Sequence, residues 1–345
     1  MAKVVGKTPP VRDLETVSER VGPLLRDGGR VLMTGATGFV GRWVVGVVLT
    51  TAARRQTSHD IVVITRNPGN IDGLFGPLPL GVTISAVHPD DVDQISPMGI
   101  TDVAHFSAYT GTQNAASSLK TLQADLEVLF SVGRLLERGD TRANLIYASS
   151  GAVYGRGQTS SVHPTEESTA THDLSGLGNR YDETKRASES LVRAFSEAGV
   201  VQGSIARLFA FSGPLLPIDQ HFAIGNFVRD VLMRRDVEVR GSGRDFRSWM
   251  YAADMAEVLM RLWNLGDSEG TAYNVGSKEE MSIMDAALTV ADVGGVQVRH
   301  LWNGTVDSPP TYYVPDVTKL DSVMETGHFL GLRESVMRHL EWLRT

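Results

Sequence analysis

The chain has no cysteine among its 345 residues. Disulfide bridges, thiolate metal sites and cysteine nucleophiles are therefore all excluded. Long apolar runs are missing too. The longest candidate, Trp43 to Thr50, is far shorter than the ~20 residues that cross a bilayer. The first residues, Met1 to Lys7, lack the apolar stretch of a signal peptide. Basic charge is scarce, with 33 Lys and Arg against 40 Asp and Glu and a net charge of −7. That balance argues against nucleic acid or an anionic membrane as the main partner. The histidines show no paired metal-ligand spacing. Together these absences predict a soluble cytoplasmic protein with no metal, no nucleic acid and no membrane partner.

Hydrophobic residues make up 42% of the chain, enough for a substantial core, and the length exceeds one typical domain. Leu14, Val17, Val21, Leu24 and Leu25 share one stripe, which predicts an amphipathic helix over 11–28 within an N-terminal extension, residues 1–29. From Arg30 onward short apolar runs alternate with helical patterns. The strand candidates are 30–34, 60–65, 82–87, 102–106, 143–148 and 203–208, with helices from Phe39 to Leu49, over roughly 117–138 and around Tyr181. Continuous apolar strands separated by helices predict a parallel sheet covered on both faces. The expected fold is α/β, a doubly wound Rossmann-type domain over 30–208, with ligands at the carboxyl ends of the strands. After residue 209 the alternation loosens around Gly213-Pro214, Pro217 and Gly241 to Arg244. A smaller substrate-binding lobe is expected over 209–345, with elements at about 247–276 returning to the main domain. A closing amphipathic helix is expected over 331–344.

Thr34-Gly35-Ala36-Thr37-Gly38-Phe39-Val40-Gly41 lies between the first strand and its helix. Glycines there let the backbone approach a pyrophosphate, whose charge the N–H groups and dipole of the helix N-terminus stabilise. The end of the second strand should meet the adenosine ribose. An acid there would bond the 2′-hydroxyl of NAD, whereas an arginine accommodates the 2′-phosphate of NADP. This chain has Thr65-Arg66-Asn67 and no acid, and Arg42 follows the glycine turn. NADP(H) is therefore favoured over NAD(H), with an ordinary surface arginine as the alternative for Arg66.

Tyr181 and Lys185 are four residues apart and share a helix face. A phenol titrates near ~10, and an ammonium one turn away lowers that value. The pair is a proton donor and acceptor tuned by Lys185. Ser149 and Ser150 end the fifth strand, where a hydroxyl can bond the substrate oxygen that the tyrosine protonates or deprotonates.

The spacing Gly-x-x-Gly-x-x-Gly, the strand-end serines and Tyr181-x-x-x-Lys185, in this order, resemble the extended short-chain dehydrogenase/reductase family. The stretch Ser149 to Gly155 resembles its nucleotide-sugar epimerase, dehydratase and ketoreductase branch. The likeness runs over about 30–344. It implies a catalytic set of Ser150, Tyr181 and Lys185, with Ser149 the weaker candidate. It implies cofactor contacts from Gly35, Thr37, Gly38, Phe39, Val40, Gly41, Arg42, Arg66, Asp91, Val92, Ser107, Ala108, Tyr181 and Lys185, with His105 nearby. Phe246 to Asp254 resembles a family element whose arginine pairs with the nucleotide diphosphate, a role that falls on Arg247. Ser248 replaces the usual aspartate, and Ala210 stands where an asparagine normally contacts substrate. Asn226, in the stretch 221–227, is a candidate for the diphosphate or sugar, an ordinary helix start being the alternative. Ser150 would also touch substrate.

Gly151 and Ala152 stand where the family's 4,6-dehydratases carry an aspartate and a glutamate that eliminate water. The resemblance thus implies hydride transfer at C4 of a nucleotide-diphosphate hexose, by 4-ketoreduction or 4-epimerisation, in a homodimer. A dehydratase, a reductase of a non-sugar ketone and a non-catalytic NADP-sensing protein stay open as alternatives.

Overall fold

The computed structural model describes residues 8–22, 26–71, 73–107, 115–155, 159, 161–169, 180–220, 222–305 and 308–345. In chain order the elements are α1 (Val11–Val21), β1 (Arg30–Thr34), α2 (Phe39–Arg55), β2 (His59–Ile64), β3 (Val82–Val87), β4 (Ile100–His105), α3 (Ala115–Glu137), β5 (Ala143–Ser150), α4 (Arg180–Glu197) and β6 (Val201–Leu208). They continue as β7 (Ala210–Ser212), α5 (Ala223–Leu232), β8 (Val237–Val239), β9 (Phe246–Tyr251), α6 (Ala252–Leu265), β10 (Thr271–Val275), β11 (Glu280–Ser282) and α7 (Ile283–Gly294). The chain closes with β12 (Val298–His300), β13 (Tyr312–Tyr313), α8 (Thr318–Val323) and α9 (Leu332–Arg344).

Seven strands form one parallel sheet in the order β10-β6-β5-β4-β1-β2-β3. The order runs outward in both directions from β1, the doubly wound arrangement, and its reversal lies between β1 and β4. Registers such as Met33 opposite Val63 and Ala104 keep the strands aligned. Their side chains are apolar on both faces because helices cover both. On one side Leu32, Val62, Val103, Leu145 and Ile205 pack with Leu129, Val132 and Leu135 of α3 and with Val192 and Phe195 of α4.

Two compact units divide the chain. One comprises 1–153, 173–207 and 256–273; the other comprises 154–172, 208–255 and 274–345. In the second unit β9 pairs antiparallel with β11 and parallel with β7 and β13, and β8 pairs with β12.

The N-terminal helix is shorter than its pattern predicts. It stops at Val21, because Gly22 turns the backbone to φ 63 and a proline stands at 23. The helix packs on α2, where Gly46 admits Leu14; a Cβ at Gly46 would lie 2.9 Å from Leu14 Cδ2. Arg20 reaches Glu257 of α6 at 3.3 Å. This cover explains why Trp43, Val44, Val45, Val47 and Val48 of α2 are all buried.

Candidate active site

Three glycines at the end of β1 have separate structural causes. Gly35 has φ 67, and a Cβ there would stand 2.5 Å from Phe106 C and 2.6 Å from Ser107 N. The turn is therefore pressed against the end of β4, and Thr34 Oγ1 accepts the Ser107 N–H at 3.2 Å. Gly41 touches the turn from α2; its Cβ would run into Gly35 O and lie 2.5 Å from Ala36 Cα. Gly38 differs, since the nearest atom to its Cβ would be Gly35 O at 3.4 Å. The protein thus does not require glycine at 38, and the position is open to a ligand. Gly38 is also the N-cap of α2 and, as a glycine, supplies no side-chain cap to that helix start.

A cavity of about 960 Å³ opens beside this turn. Thr34, Gly35, Thr37 and Gly38 line one end, with Thr65 and Arg66 after β2, Asp90 and Val92 after β3, and Phe106 and Ser107 after β4. The carboxyl ends of four neighbouring strands thus converge on it, as a dinucleotide site in such a sheet requires. Its further wall is α3, through Asp125, Phe130, Ser131 and Arg134. The motif reading missed this wall, since α3 carries no motif. Among the expected cofactor residues, Arg42 is buried on α2 and Asp91 accepts from Gln94 Nε2 at 2.7 Å; neither is in the cavity lining. Ala108 lies outside the described residues. The glycine turn, the start of α2 and the cavity fit a dinucleotide.

At the end of β5, the Lys185 ammonium donates to Ala148 O at 2.9 Å. It is buried, and its Nζ stands 4.9 Å from the Tyr147 ring centre and 5.8 Å from that of Tyr181. Burial pulls the Lys185 pKa from 10.5 down to about 8, against the nearby carboxylates of Asp125 and Glu189, which raise it. Tyr181 is half-buried, whereas Tyr147 is fully buried and its pKa is pushed up, chiefly by burial. Of the two neighbouring phenols, Tyr181 is the one open enough to exchange a proton. His105 beneath them is held neutral, its pKa lowered to about 3 by burial and then by the Lys185 charge. Its Nε2 meets Ser107 Oγ at 3.2 Å at the cavity rim, and its Nδ1 has no hydrogen-bond partner.

The two serines are distinguished by their partners. Ser149 Oγ donates to Glu189 Oε1 at 2.6 Å, wholly inside the protein. Ser150 Oγ accepts the Ala152 N–H at 3.2 Å, and as the next residue of a strand it points the opposite way. The adjoining Gly151 and Ala152 bring no acid or base to this corner.

In the second unit the Arg247 guanidinium is partly buried. Its Nη1 donates to Phe246 O at 2.7 Å and Thr311 O at 3.2 Å, and it stands 5.9 Å from the Tyr313 ring centre. Burial lowers its pKa, and the Asp245 carboxylate opposes that. Asn226 is engaged locally, donating to Gln220 O at 3.0 Å and accepting from Arg229 Nη1 at 2.9 Å. Ser248 is fully buried and its Oγ has no hydrogen-bond partner. Residue 221 lies outside the described residues. Among the described residues no group of three or more His, Cys, Asp or Glu side chains is arranged to hold a metal ion, and no helix is long and apolar enough to cross a membrane.

A model of the NAD dependent epimerase/dehydratase family matches residues 31–276. Curated relatives include UDP-glucuronic acid decarboxylase 1 of Xenopus tropicalis, 24% identical over 98% of this chain and 75% of the relative. UDP-glucuronic acid decarboxylase 6 of Arabidopsis thaliana is 27% identical over 89% of this chain and 86% of its own. Among solved structures, a UDP-N-acetylglucosamine 4-epimerase from Methanobrevibacter ruminantium, in complex with UDP-N-acetylmuramic acid, superposes with a TM-score of 0.74 at 19% identity. That match covers 93% of this chain and 99% of the other. A UDP-glucuronic acid 4-epimerase from Bacillus cereus, in complex with UDP-glucuronic acid and NAD, gives 0.72 at 20% identity, covering 91% and 99%.

Proposed function

The chain belongs to the NAD dependent epimerase/dehydratase family, and from that premise we propose that it moves a hydride at C4 of a nucleotide-diphosphate sugar, by ketoreduction or epimerisation. The observation that carries this reading is the Lys185 ammonium held between Ala148 O and the Tyr181 ring. A nicotinamide dinucleotide, when bound, supplies the hydride donor or acceptor. The protein moves the proton. In the oxidative direction Tyr181 as phenolate takes the proton from the sugar hydroxyl, and Ser150 orients that oxygen. In reduction the Tyr181 phenol returns it. Lys185 favours the phenolate by its charge. The Arg247 guanidinium grips the diphosphate, and Gly35, Gly38, Phe39 and Val40 present backbone to the cofactor pyrophosphate, with Arg66 at its adenosine end. NADP(H) is the favoured form on the strength of Arg66, and the working unit is a homodimer.

Elimination of water is disfavoured, because a dehydratase needs an acid and a base beside the strand-end hydroxyl and this chain has Gly151 and Ala152. A second reading follows from the similarity to UDP-glucuronic acid decarboxylases. Once C4 is a ketone, a carboxylate on C5 can leave as carbon dioxide, its electrons flowing into that ketone. One experiment covers both. Purified protein is incubated with UDP-glucuronic acid and NAD⁺ or NADP⁺, and separately with a 4-keto-6-deoxy nucleotide sugar and NADPH. Nicotinamide absorbance and product mass are then followed. A C4 epimer or reduced sugar supports the first reading, and a UDP-pentose supports the second. No product from either incubation, with Tyr181→Phe indistinguishable from wild type, would sink the enzymatic reading.

A further inference from the structure

Tyr181, Lys185 and Glu189 follow one another at four-residue steps along α4 and share one face. The first two belong to the proposed chemistry; Glu189 has no part in it so far. Its carboxylate is 3% exposed, and a buried carboxylate must be paired. Oε1 accepts from Ser149 Oγ at 2.6 Å and from Arg207 Nε at 3.0 Å, while Oε2 accepts from Arg207 Nη2 at 2.7 Å. Arg193 adds a longer contact at 3.8 Å. The helix is therefore tied to successive residues of β5, Lys185 to Ala148 and Glu189 to Ser149, and through Arg207 to β6. The same bonds consume Ser149 and leave Ser150 to face the other way.

We propose that Glu189 is a positioning residue of the proton-transfer set: by holding Ser149 and Arg207 it fixes the Tyr181–Lys185 face of α4 against the end of β5. This rests on the reading of Tyr181 and Lys185 given above. Glu189 touches neither substrate nor cofactor and acts through Lys185. The groups around the Lys185 ammonium are Tyr147 of β5, His105 of β4, Asp125 of α3, and Tyr181 and Glu189 of α4. His105 is neutral and Tyr147 stays a phenol, so Asp125 and Glu189 are the carboxylates that sustain the ammonium. Without Glu189, Lys185 loses its proton at lower pH. A phenol facing a neutral amine then ionises nearer its ordinary range.

The test reads Tyr181 directly. Tyrosinate absorbance of the whole protein is titrated against pH, and the Tyr181→Phe curve is subtracted to isolate Tyr181. The same subtraction is made in a Glu189→Gln background. Because that change strands the Arg207 charge, Glu189→Gln/Arg207→Gln is measured in parallel, with circular dichroism confirming the fold. The expected result is an upward shift of the Tyr181 titration by on the order of one pH unit in the double variant, a smaller one in Glu189→Gln, where the remaining Arg207 cation favours phenolate, and a titration near wild type in Glu189→Asp. An unshifted titration in the folded double variant overturns the inference, because a merely structural carboxylate would lower stability and leave Tyr181 where it was. If the wild-type curve itself shows no Tyr181 ionisation below the ordinary phenol range, the Tyr181–Lys185 reading fails and takes the inference with it.

Discussion

The Tyr154 hydroxyl donates to Asn274 Oδ1 at 2.7 Å, across 120 residues of sequence. Asn274 is fully buried; its Nδ2 donates to Pro164 O at 2.8 Å and Asp316 O at 2.9 Å, and its N–H to Glu166 Oε1 at 2.6 Å. Tyr154 is thus bound into a hydrogen-bonded network, although it stands only four residues past Ser150. The two tyrosines should separate on substitution. Tyr154→Phe leaves a buried acceptor unmet and should cost about 1–3 kcal/mol of stability by urea denaturation, with the hydride step intact. Tyr181→Phe should leave stability nearly unchanged and slow the hydride step by about 10²–10⁴-fold in single-turnover measurements. A Tyr154→Phe enzyme that folds but is as slow as Tyr181→Phe would contradict the assignment.

The glycines of the turn make a second separation. Gly41→Ala drives a methyl into Gly35 and Ala36, an overpacking expected to cost about 1–3 kcal/mol. Gly38→Ala meets only Gly35 O at 3.4 Å, at an unstrained φ of −82. It should keep its thermal midpoint and lose cofactor affinity, roughly tenfold for each 1.4 kcal/mol of lost contact. Thermal denaturation with and without added dinucleotide distinguishes the two. If Gly38→Ala bound dinucleotide as wild type does, the pyrophosphate would not lie on this turn.

These contrasts explain what the sequence could and could not reveal. The strand–glycine–helix unit at 30–55, the end of β5 and the Tyr181–Lys185 face were legible because each depends on spacing within about a dozen residues. Long-range partners were not. Ser149 and Ser150 are the same residue type side by side, and only the family resemblance favoured Ser150; the bond from Ser149 to Glu189, forty residues on, is a tertiary contact. A sign of it was present, since Glu189 continues the four-residue steps of Tyr181 and Lys185. The α3 wall of the cavity and the Tyr154–Asn274 network depend on tertiary contacts that no local pattern encodes. The end of the N-terminal helix was a local signal that the apolar stripe overrode: the backbone turns at Gly22, and Leu24 and Leu25 of the stripe lie outside the described residues.

Acid sensitivity follows from His339 on α9. It is fully buried, and neither ring nitrogen has a hydrogen-bond partner. Burial lowers its pKa from 6.5 to about 3. Between those values the unfolded chain takes up a proton that the folded chain refuses, so stability rises with pH through that window and is lost as pH falls. His105 contributes in the same direction. His339→Leu removes an unsatisfied polar ring and the proton uptake with it. The variant should be as stable as wild type or more so at neutral pH, with a smaller loss of urea midpoint between pH 7 and 5. Parallel pH dependences for wild type and variant would show that His339 does not titrate as its burial requires.

Arg66 is exposed on the cavity lining directly after β2, where Thr65 and Asn67 bring no acid. A guanidinium there favours a 2′-phosphate, and a carboxylate favours a free ribose hydroxyl pair. Asp90 shares the same lining, and the other arginine there, Arg134, stands on the α3 wall, so the proposed preference for NADP(H) hangs on Arg66 rather than on a wholly basic pocket. Arg66→Glu should weaken NADP(H) by roughly 10- to 100-fold, the loss of one charge-assisted hydrogen bond of about 1.5–3 kcal/mol. NAD(H) affinity should hold or improve, because the new carboxylate can accept from the ribose. Calorimetric titration of both dinucleotides against wild type and variant gives four dissociation constants. Equal weakening of both cofactors would mean that Arg66 supports the pocket without reading the phosphate, and a wild-type preference for NAD(H) would overturn the assignment outright.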